Sequence, residues 1–384
     1  MKKIDNIKII FCFFSVLLIS LIGIFTITNN NDYSLIEGRN LTKFPHPDIK
    51  DFLHDEIYTT YTNAFSDQMI AKKIFVKLYQ YLNPQRYIGD IVKGKNNQLF
   101  YQPLIVENEN EYISSLKDVI KNNMNIVAEE VSKNGGEFIF VSIPRKDVVM
   151  NKYLPFSYID GTENYLKYVD IINSVKSDNV KLIDAYNLFY NEDVYYQTDH
   201  HLNIRGAYYI FNEIINQVNK KHNIKIDSLE KEYFIEKKIV NGAYNRKLAD
   251  FIKPNLEELT LIPFDKNIRY KRYDSGKLSN VKVFGKDNTY ASAYMGSDYA
   301  ETIIDTNLDN FPNILYVGTS FTNVLESLSV YKFNKMVSID YRHNNTGKSI
   351  VDYVKEHDID YVIFICSQSD NPLKISSIKQ QLGY

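Results

Sequence analysis

The chain has 384 residues, enough for one large or two modest domains, and its 44% hydrophobic content supplies a packed core and excludes wholesale disorder. A formal net charge of -2 leaves no electrostatic case for a nucleic-acid partner. The two cysteines, Cys12 and Cys366, provide neither a disulfide framework nor a metal-type spacing.

Lys2, Lys3 and Lys8 precede an uncharged run from Ile9 to Ile27. That run is about the length needed to cross a bilayer. It exceeds a usual signal-peptide core, and Thr26 to Asn30 offers no small-x-small cleavage site. Basic residues before it and acidic ones after it orient the tail to the cytoplasm. The expectation is a cytoplasmic tail and transmembrane signal anchor over 1–29, single-pass in the cell membrane, with 30–384 extracytoplasmic; a cleaved signal is the alternative. Residues 30–60 read as irregular, with Pro45 and Pro47 opposing helix. From Asp48 to Tyr81 the spacing of Phe65, Met69, Ile70, Ile74, Phe75 and Leu78 predicts a helix. Val92 to Tyr101, with Gly94 and Asn96-Asn97 inside it, predicts a hairpin.

A strand–helix rhythm begins at Glu109. Residues 109–133 predict a helix stopped at Asn134-Gly135-Gly136. Phe138 to Ile143 is a continuous apolar run of the kind found in buried parallel strands. A helix over 162–176, a strand over Val180–Asp184 and a helix from Asn203 to Lys220 follow. Residues 221–310 are charged and tyrosine-rich, with Gly242, Gly276, Gly285 and Gly296 as turn punctuation, and predict an irregular β-rich insertion. The rhythm resumes with strand Ile314–Val317, helix Phe321–Ser327, strand Lys335–Ile339, helix Thr346–His357 and strand Tyr361–Cys366. Such alternation predicts a three-layer α/β fold around a parallel central sheet.

Two stretches carry candidate chemistry. In Tyr195-Tyr196-Gln197-Thr198-Asp199-His200-His201, Asp199 and His201 are two apart at the mouth of an amphipathic helix, so a bend can present both to one cleft. A carboxylate can there orient an imidazole that acts as general base. In Leu315-Tyr316-Val317-Gly318-Thr319-Ser320-Phe321 an apolar strand runs into a turn and a helix, which exposes Ser320 at the strand's carboxyl end as the nucleophile. The alternative is structural: Asp199 in a turn, His200 and His201 partly exposed, and Ser320 capping a helix. Asp199, His200, His201 and His343 also offer metal-type donors, but adjacent histidines rarely converge on one ion, and no metal or cofactor is expected. Arg145, at the strand end after Pro144, and Arg342, beside Tyr341, are candidates for holding substrate. His200 is assigned to the loop or to the substrate side.

Thr198-Asp199-His200-His201-Leu202 resembles the signature of the DHHW family and the Asp-x-His segment of alginate O-acetylation proteins, which are SGNH-like acyltransferases. Further segments match in order: Gly38-Arg39-Asn40-Leu41 with Phe44-Pro45, Phe65 to Gln68, Gly94 to Tyr101, Met295 to Tyr299, Gly318 to Phe321, Asp340 to Arg342 and Asp360 to Val362. The resemblance spans residues 37–370. Leu202 stands where the family's name has Trp, and Gly-Thr before Ser320 suits the alginate-type pattern.

The resemblance implies an SGNH-hydrolase-like fold with a nucleophilic Ser320, a His201 base and an Asp199 orienter. It implies transfer of an acetyl group, through an acetyl-serine, to a cell-surface or secreted polysaccharide. It further implies a membrane-bound O-acyltransferase partner as acetyl supplier. A polysaccharide O-acetyl esterase with the same triad, or a non-catalytic glycan-binding or assembly subunit, is the alternative.

Overall fold

Long apolar runs with no polar alternation place both faces of a strand out of water, and four such runs in this chain lie side by side. The computed structural model describes residues 10, 12–21, 24, 33–34, 39–40, 42–43, 90–103, 109–156, 158–189, 192–221, 226–227, 241–248, 269–285, 289–344 and 346–368. Its main sheet has eight strands: β1 (Glu137–Ile143), β2 (Val180–Asp184), β3 (Lys271–Asp274), β4 (Lys277–Ser279), β5 (Glu301–Asp305), β6 (Ile314–Gly318), β7 (Lys335–Asp340) and β8 (Tyr361–Ser367). They run in the order β2-β1-β8-β6-β7-β5-β3-β4.

Five neighbouring strands, β2, β1, β8, β6 and β7, are parallel, with Val141 opposite Ile365 and Gly318 opposite Asp340. The other three are antiparallel, which corrects the expected parallel sheet to a mixed one. The correction falls inside the stretch expected to be an irregular insertion. Ser275 and Gly276 both have positive φ, 48° and 76°, the condition for a two-residue hairpin turn between β3 and β4. That hairpin and β5 continue the main sheet instead of forming a separate body.

Helices cover both faces of the sheet. On one, α1 (Glu109–Val119), α2 (Asn125–Lys133), α3 (Thr162–Val175) and α6 (Ile350–Glu356) pack Leu116, Val127, Tyr165, Tyr168, Ile350 and Tyr353 against Phe138, Phe140, Leu315, Val317, Val337 and Phe364. Strand residues of the other parity meet α4 (Ile204–Lys221) and α5 (Asn323–Ser329): Tyr361 Oη donates to Val218 O at 3.4 Å, and Tyr316 Oη lies 2.9 Å from Ser329 Oγ.

Helix ends follow their capping chemistry. Asn203 Oδ1 accepts from the N–H groups of Arg205 and Gly206 and so opens α4. Ser349 and Asp352 form a capping box, which starts α6 at Ile350 and not at Thr346. The helix predicted over 109–133 is present, with one π-helical turn at Ile120–Met124 between α1 and α2.

The chain divides into two compact units, one of Met1–Val92 with Ala243–Lys253 and one of Lys93–Gly242 with Pro254–Tyr384. In the first, residues 12–21 are helical, and Phe13, Phe14, Val16, Leu18 and Ile19 are exposed. Among the described residues no helix is long and apolar enough to cross a membrane, and most of the anchor expected over 1–29 lies outside them. The helix expected from Asp48 to Tyr81 also lies outside the described residues. In the second unit the expected hairpin turn closes where Gly94 N–H donates to Gln98 O at 2.8 Å.

The mixed half of the sheet carries a buried cation. Arg272 on β3, 1% exposed, donates from Nε to Asp274 Oδ1 at 2.9 Å and from Nη2 to Met295 O at 2.7 Å. Arg272→Met strands the Asp274 carboxylate without its partner and is expected to cost about 3–5 kcal/mol in urea denaturation. A loss below about 1 kcal/mol would show that the ion pair does not hold this half of the sheet.

Candidate active site

The nucleophile candidate stands where β6 ends. A Cβ on Gly318 would lie 2.6 Å from Thr322 Cγ2 and 3.1 Å from Ile365 O, so only glycine lets the chain turn that tightly against β8. Thr319 is extended (φ -119°, ψ -165°), and Ser320 opens a short 3-10 turn, Ser320–Thr322, that leads into α5. Being first in that turn, the Ser320 N–H has no partner within it.

The acid–base pair sits on a closed loop. Tyr195 and Leu202 form an antiparallel bridge, Tyr196 N–H donates to His201 O at 3.2 Å, and Asn203 N–H donates to Val194 O at 2.9 Å. Neighbours pin the tip from outside. Leu99 N–H donates to Gln197 O at 2.8 Å, and Gly242 N–H donates to Thr198 Oγ1 at 3.0 Å. The Gly242 approach is too close for any side chain: an added Cβ would lie 2.2 Å from Thr198 O. Lys146 Nζ donates to the carbonyls of Tyr196 and Gln197 at 2.5 and 2.7 Å, with Asp199 O at 3.3 Å.

This loop and the β6 turn bring the three predicted residues into line. His201 Nδ1 lies 2.7 Å from Asp199 Oδ1, and His201 Nε2 lies 2.8 Å from Ser320 Oγ. Asp199, His201 and Ser320 are all buried. A carboxylate only accepts, so Nδ1 carries the proton and Nε2 is left to accept from the Ser320 hydroxyl. Of the structural alternative, Asp199 does sit in a turn and His200 is partly exposed, but His201 is buried and Ser320 Oγ faces the His201 ring.

Electrostatics favour the same assignment. Burial alone would raise the Asp199 carboxyl, but the adjacent His201 and His200, with their hydrogen bonds, hold it well below the usual carboxylate range. Burial, reinforced by His200, lowers His201 from 6.5 to about 4 against the opposing pull of Asp199. The imidazole is therefore neutral at neutral pH, the form a general base needs. Its ring is stacked on Tyr290, with centroids 3.8 Å apart and planes 1° from parallel, and the His200 ring lies 3.9 Å away.

Of the other predicted residues, His200 borders the site with its side chain 34% exposed. Arg342 lies two residues beyond Asp340, the register partner of Gly318, and so beside the Ser320 turn. It binds Asp340 at 2.5 Å and Asp298 at 3.1 Å, and Asp298 in turn accepts from Asn323 Nδ2 at 2.8 Å. Tyr341 packs its ring on Phe364. Arg145 is turned into the fold, donating to Asp147 Oδ1 and Gln102 O, both at 2.8 Å. Asp199, His200 and His201 offer one ligand atom each within 4.8 Å of one another, and His343 is not part of that group. Both His201 ring nitrogens are committed to Asp199 and Ser320, which leaves a metal no unshared donor on that ring.

Sequence reasoning missed Lys146, Tyr290, Asp298 and Asn323. Lys146 carried a usable signal, since it follows Pro144 at the carboxyl end of β1, on the site's side of the sheet. Asp298 lies in the Met295–Tyr299 segment that carries the family resemblance, whereas Tyr290 comes from the stretch read as an insertion and had no signal.

A mixed three-layer sheet with a Ser–His–Asp line beyond its parallel carboxyl ends defines an SGNH hydrolase-like domain. Residues 91–336 match the family model described as SGNH hydrolase-like domain, acetyltransferase AlgX, and the chain belongs to this family. Among solved structures it is similar to Bacillus cereus PatB1 with a sulfonyl adduct, at 23% identity and TM-score 0.59, covering 73% of this chain and 95% of that one. It is also similar to a DHHW family protein from Eubacterium siraeum, at 18% identity and TM-score 0.55, covering 77% of this chain and 99% of that one. A comparison with curated proteins gives no match.

The depressed His201 value has a measurable consequence. An unfolded histidine titrates near 6.5 and the folded one near 4, so the unfolded chain takes up this proton first as pH falls. The contribution to stability is intact above 6.5 and is lost between 6.5 and 4. A nitrogen-detected NMR titration of His201 is expected to show its midpoint near 4, and lower still in Asp199→Asn, which removes the group that raises it. A midpoint at or above 6.5 would overturn the neutral-base assignment.

Proposed function

We propose that the chain is an extracytoplasmic O-acetyltransferase that acetylates a polysaccharide through a Ser320–His201–Asp199 triad. The observation that carries this reading is the hydrogen-bonded line of 2.8 and 2.7 Å from Ser320 Oγ through His201 to Asp199.

In the first half-reaction His201 Nε2 takes the Ser320 proton as Oγ attacks the carbonyl carbon of an acetyl donor. The backbone N–H of Ser320, unpaired within its turn, is assigned to the oxyanion that forms. Collapse of the tetrahedral intermediate breaks the bond to the leaving group, which takes the proton from His201 and leaves acetyl-Ser320. In the second half-reaction a sugar hydroxyl gives its proton to His201 and attacks the acetyl carbon. Ser320 Oγ departs and recovers the proton. Asp199 holds one tautomer throughout and stabilises the transient imidazolium.

On the acceptor side, Arg342 and His200, with side chains 38% and 34% exposed, are assigned to substrate contact together with Tyr341. Arg145, whose donors serve Asp147 and Gln102, is left out of that set. The N-terminal segment is assigned to a membrane anchor, a reading supported by the exposed apolar side chains over residues 10–24. A membrane-bound O-acyltransferase would then supply acetyl groups from the same bilayer.

The test uses the full chain in detergent with a chromogenic acetyl ester, following intact mass and ester cleavage together. An acetyl adduct on Ser320 is expected, absent from Ser320→Ala and His201→Ala. Asp199→Asn should fall by about 10⁴-fold in turnover. Acetyl transfer to an added glycan, faster than release as acetate, marks a transferase; release that no glycan diverts marks an esterase. No adduct in folded wild-type protein would remove the triad reading.

A further inference from the structure

Tyr196 to His201 turns back on itself, so its carbonyl oxygens gather on the inside of a closed loop, and buried carbonyls need donors. The donor here is a side chain from another part of the sheet. Lys146, 5% exposed, follows the carboxyl end of β1 and reaches the loop with its ammonium. Nζ lies 2.5 Å from Tyr196 O, 2.7 Å from Gln197 O and 3.3 Å from Asp199 O. Its stem rises past Phe100, with Nζ 5.2 Å from the ring centroid. An ammonium has three donors and no acceptor, and three inward carbonyls of one loop match that inventory.

We propose that Lys146 is a positioning residue for acyl transfer: its ammonium acts as the internal cation of the Tyr196–His201 loop and holds Asp199 and His201 at their working distances. The proposal rests on the Ser320–His201–Asp199 reading given above. The argument is one of connectivity. The Asp199 carbonyl faces Lys146 while the Asp199 carboxylate, on the same residue, accepts from His201 Nδ1 and from the N–H groups of His200 and His201 at 2.7 and 3.1 Å. The backbone of Asp199 is thereby gripped on one side by a cation while its side chain grips the base on the other. With the cation gone, Gln197 O keeps the Leu99 N–H, but the carbonyls of Tyr196 and Asp199 lose the ammonium that draws them together and the loop relaxes from its working shape. Asp199 and His201 move with it. Arg145 and Asp147, on either side of Lys146, pair with each other at 2.8 Å and so define the backbone from which the lysine projects.

Lys146 touches no reacting atom, so its loss should act on turnover and not on substrate affinity. The test is the rate of Ser320 acylation by a chromogenic acetyl ester, on full-length protein, in Lys146→Met and Lys146→Ala. Lys146→Met keeps the stem against Phe100 and removes the charge; it is expected to lower kcat by about 100-fold, the effect of misplacing catalytic groups by about 1 Å, with KM little changed. Lys146→Ala leaves room for a small cation, and ethylammonium should restore its acylation rate in a saturable way while leaving Ser320→Ala inactive. Acylation by Lys146→Met within threefold of wild type, a loss confined to KM, or a folded Lys146→Ala that ethylammonium does not rescue would each overturn the proposal. Should Lys146→Ala not fold, Lys146→Met alone decides. Wild-type protein that forms no acetyl-Ser320 would instead remove the triad reading beneath it, so the two failures are distinct.

Discussion

A single carboxylate oxygen organises the site. Asp199 Oδ1 accepts from the His201 ring and from two successive backbone N–H groups, those of His200 and His201, in a place with almost no access to water. Burying a carboxylate is costly unless its hydrogen bonds are replaced, and these three donors replace them. The same bonds that keep Asp199 ionised bend the chain so that His201 turns back over its own sequence. One interaction therefore sets the tautomer of the His201 ring, its direction and the shape of the loop that carries it. Closure at Tyr195 and Leu202, the donors of Leu99 and Gly242 at the tip, and the stack of Tyr290 all support a conformation that this oxygen defines.

The two halves of the sheet divide the labour. The parallel half delivers Ser320 at the end of β6, because parallel strands all end on one side and leave a crevice there. The antiparallel half supplies the wall. Between β4 and β5 the chain sends Tyr290 onto the face of His201 and Asp298 onto Asn323, three residues past Ser320. That wall excludes water from the imidazole, which is why burial leads among the causes of its depressed pKa. Glu326, on α5 behind Ser320, feels the same dry surroundings: burial pushes it up to about 7, opposed by its hydrogen bonds to Ser338 and Thr322.

Membership of the acetyltransferase family and the likeness to PatB1 bear on different questions. The family match covers the loop, the nucleophile turn and most of the sheet. The structural neighbours share the fold at identities too low to transfer a substrate. Beside the site this chain has Arg342 between two carboxylates and a His200 side chain 34% exposed, while Leu202, where the DHHW signature has tryptophan, is buried.

Local order was legible in the amino-acid sequence because it depends on near neighbours. Unbroken apolar runs marked β1, β6 and β8, the Asn134-Gly135-Gly136 stop marked the end of α2, and Asp-x-His and Gly-Thr-Ser stood out as an acid–base pair and a nucleophile turn. The direction of β3 to β5 was not legible, because a hairpin at Ser275-Gly276 looks alike whether it decorates a domain or extends its sheet; only pairing with β7 decides. Nor could spacing announce that a lysine 53 residues before Asp199 fills its loop, or that Tyr290 lies on His201. The sequence by itself determined which groups can do the chemistry and which apolar runs become the buried parallel strands. The tertiary structure decided their distances, their burial and hence their protonation, since those quantities belong to contacts between residues far apart in the chain.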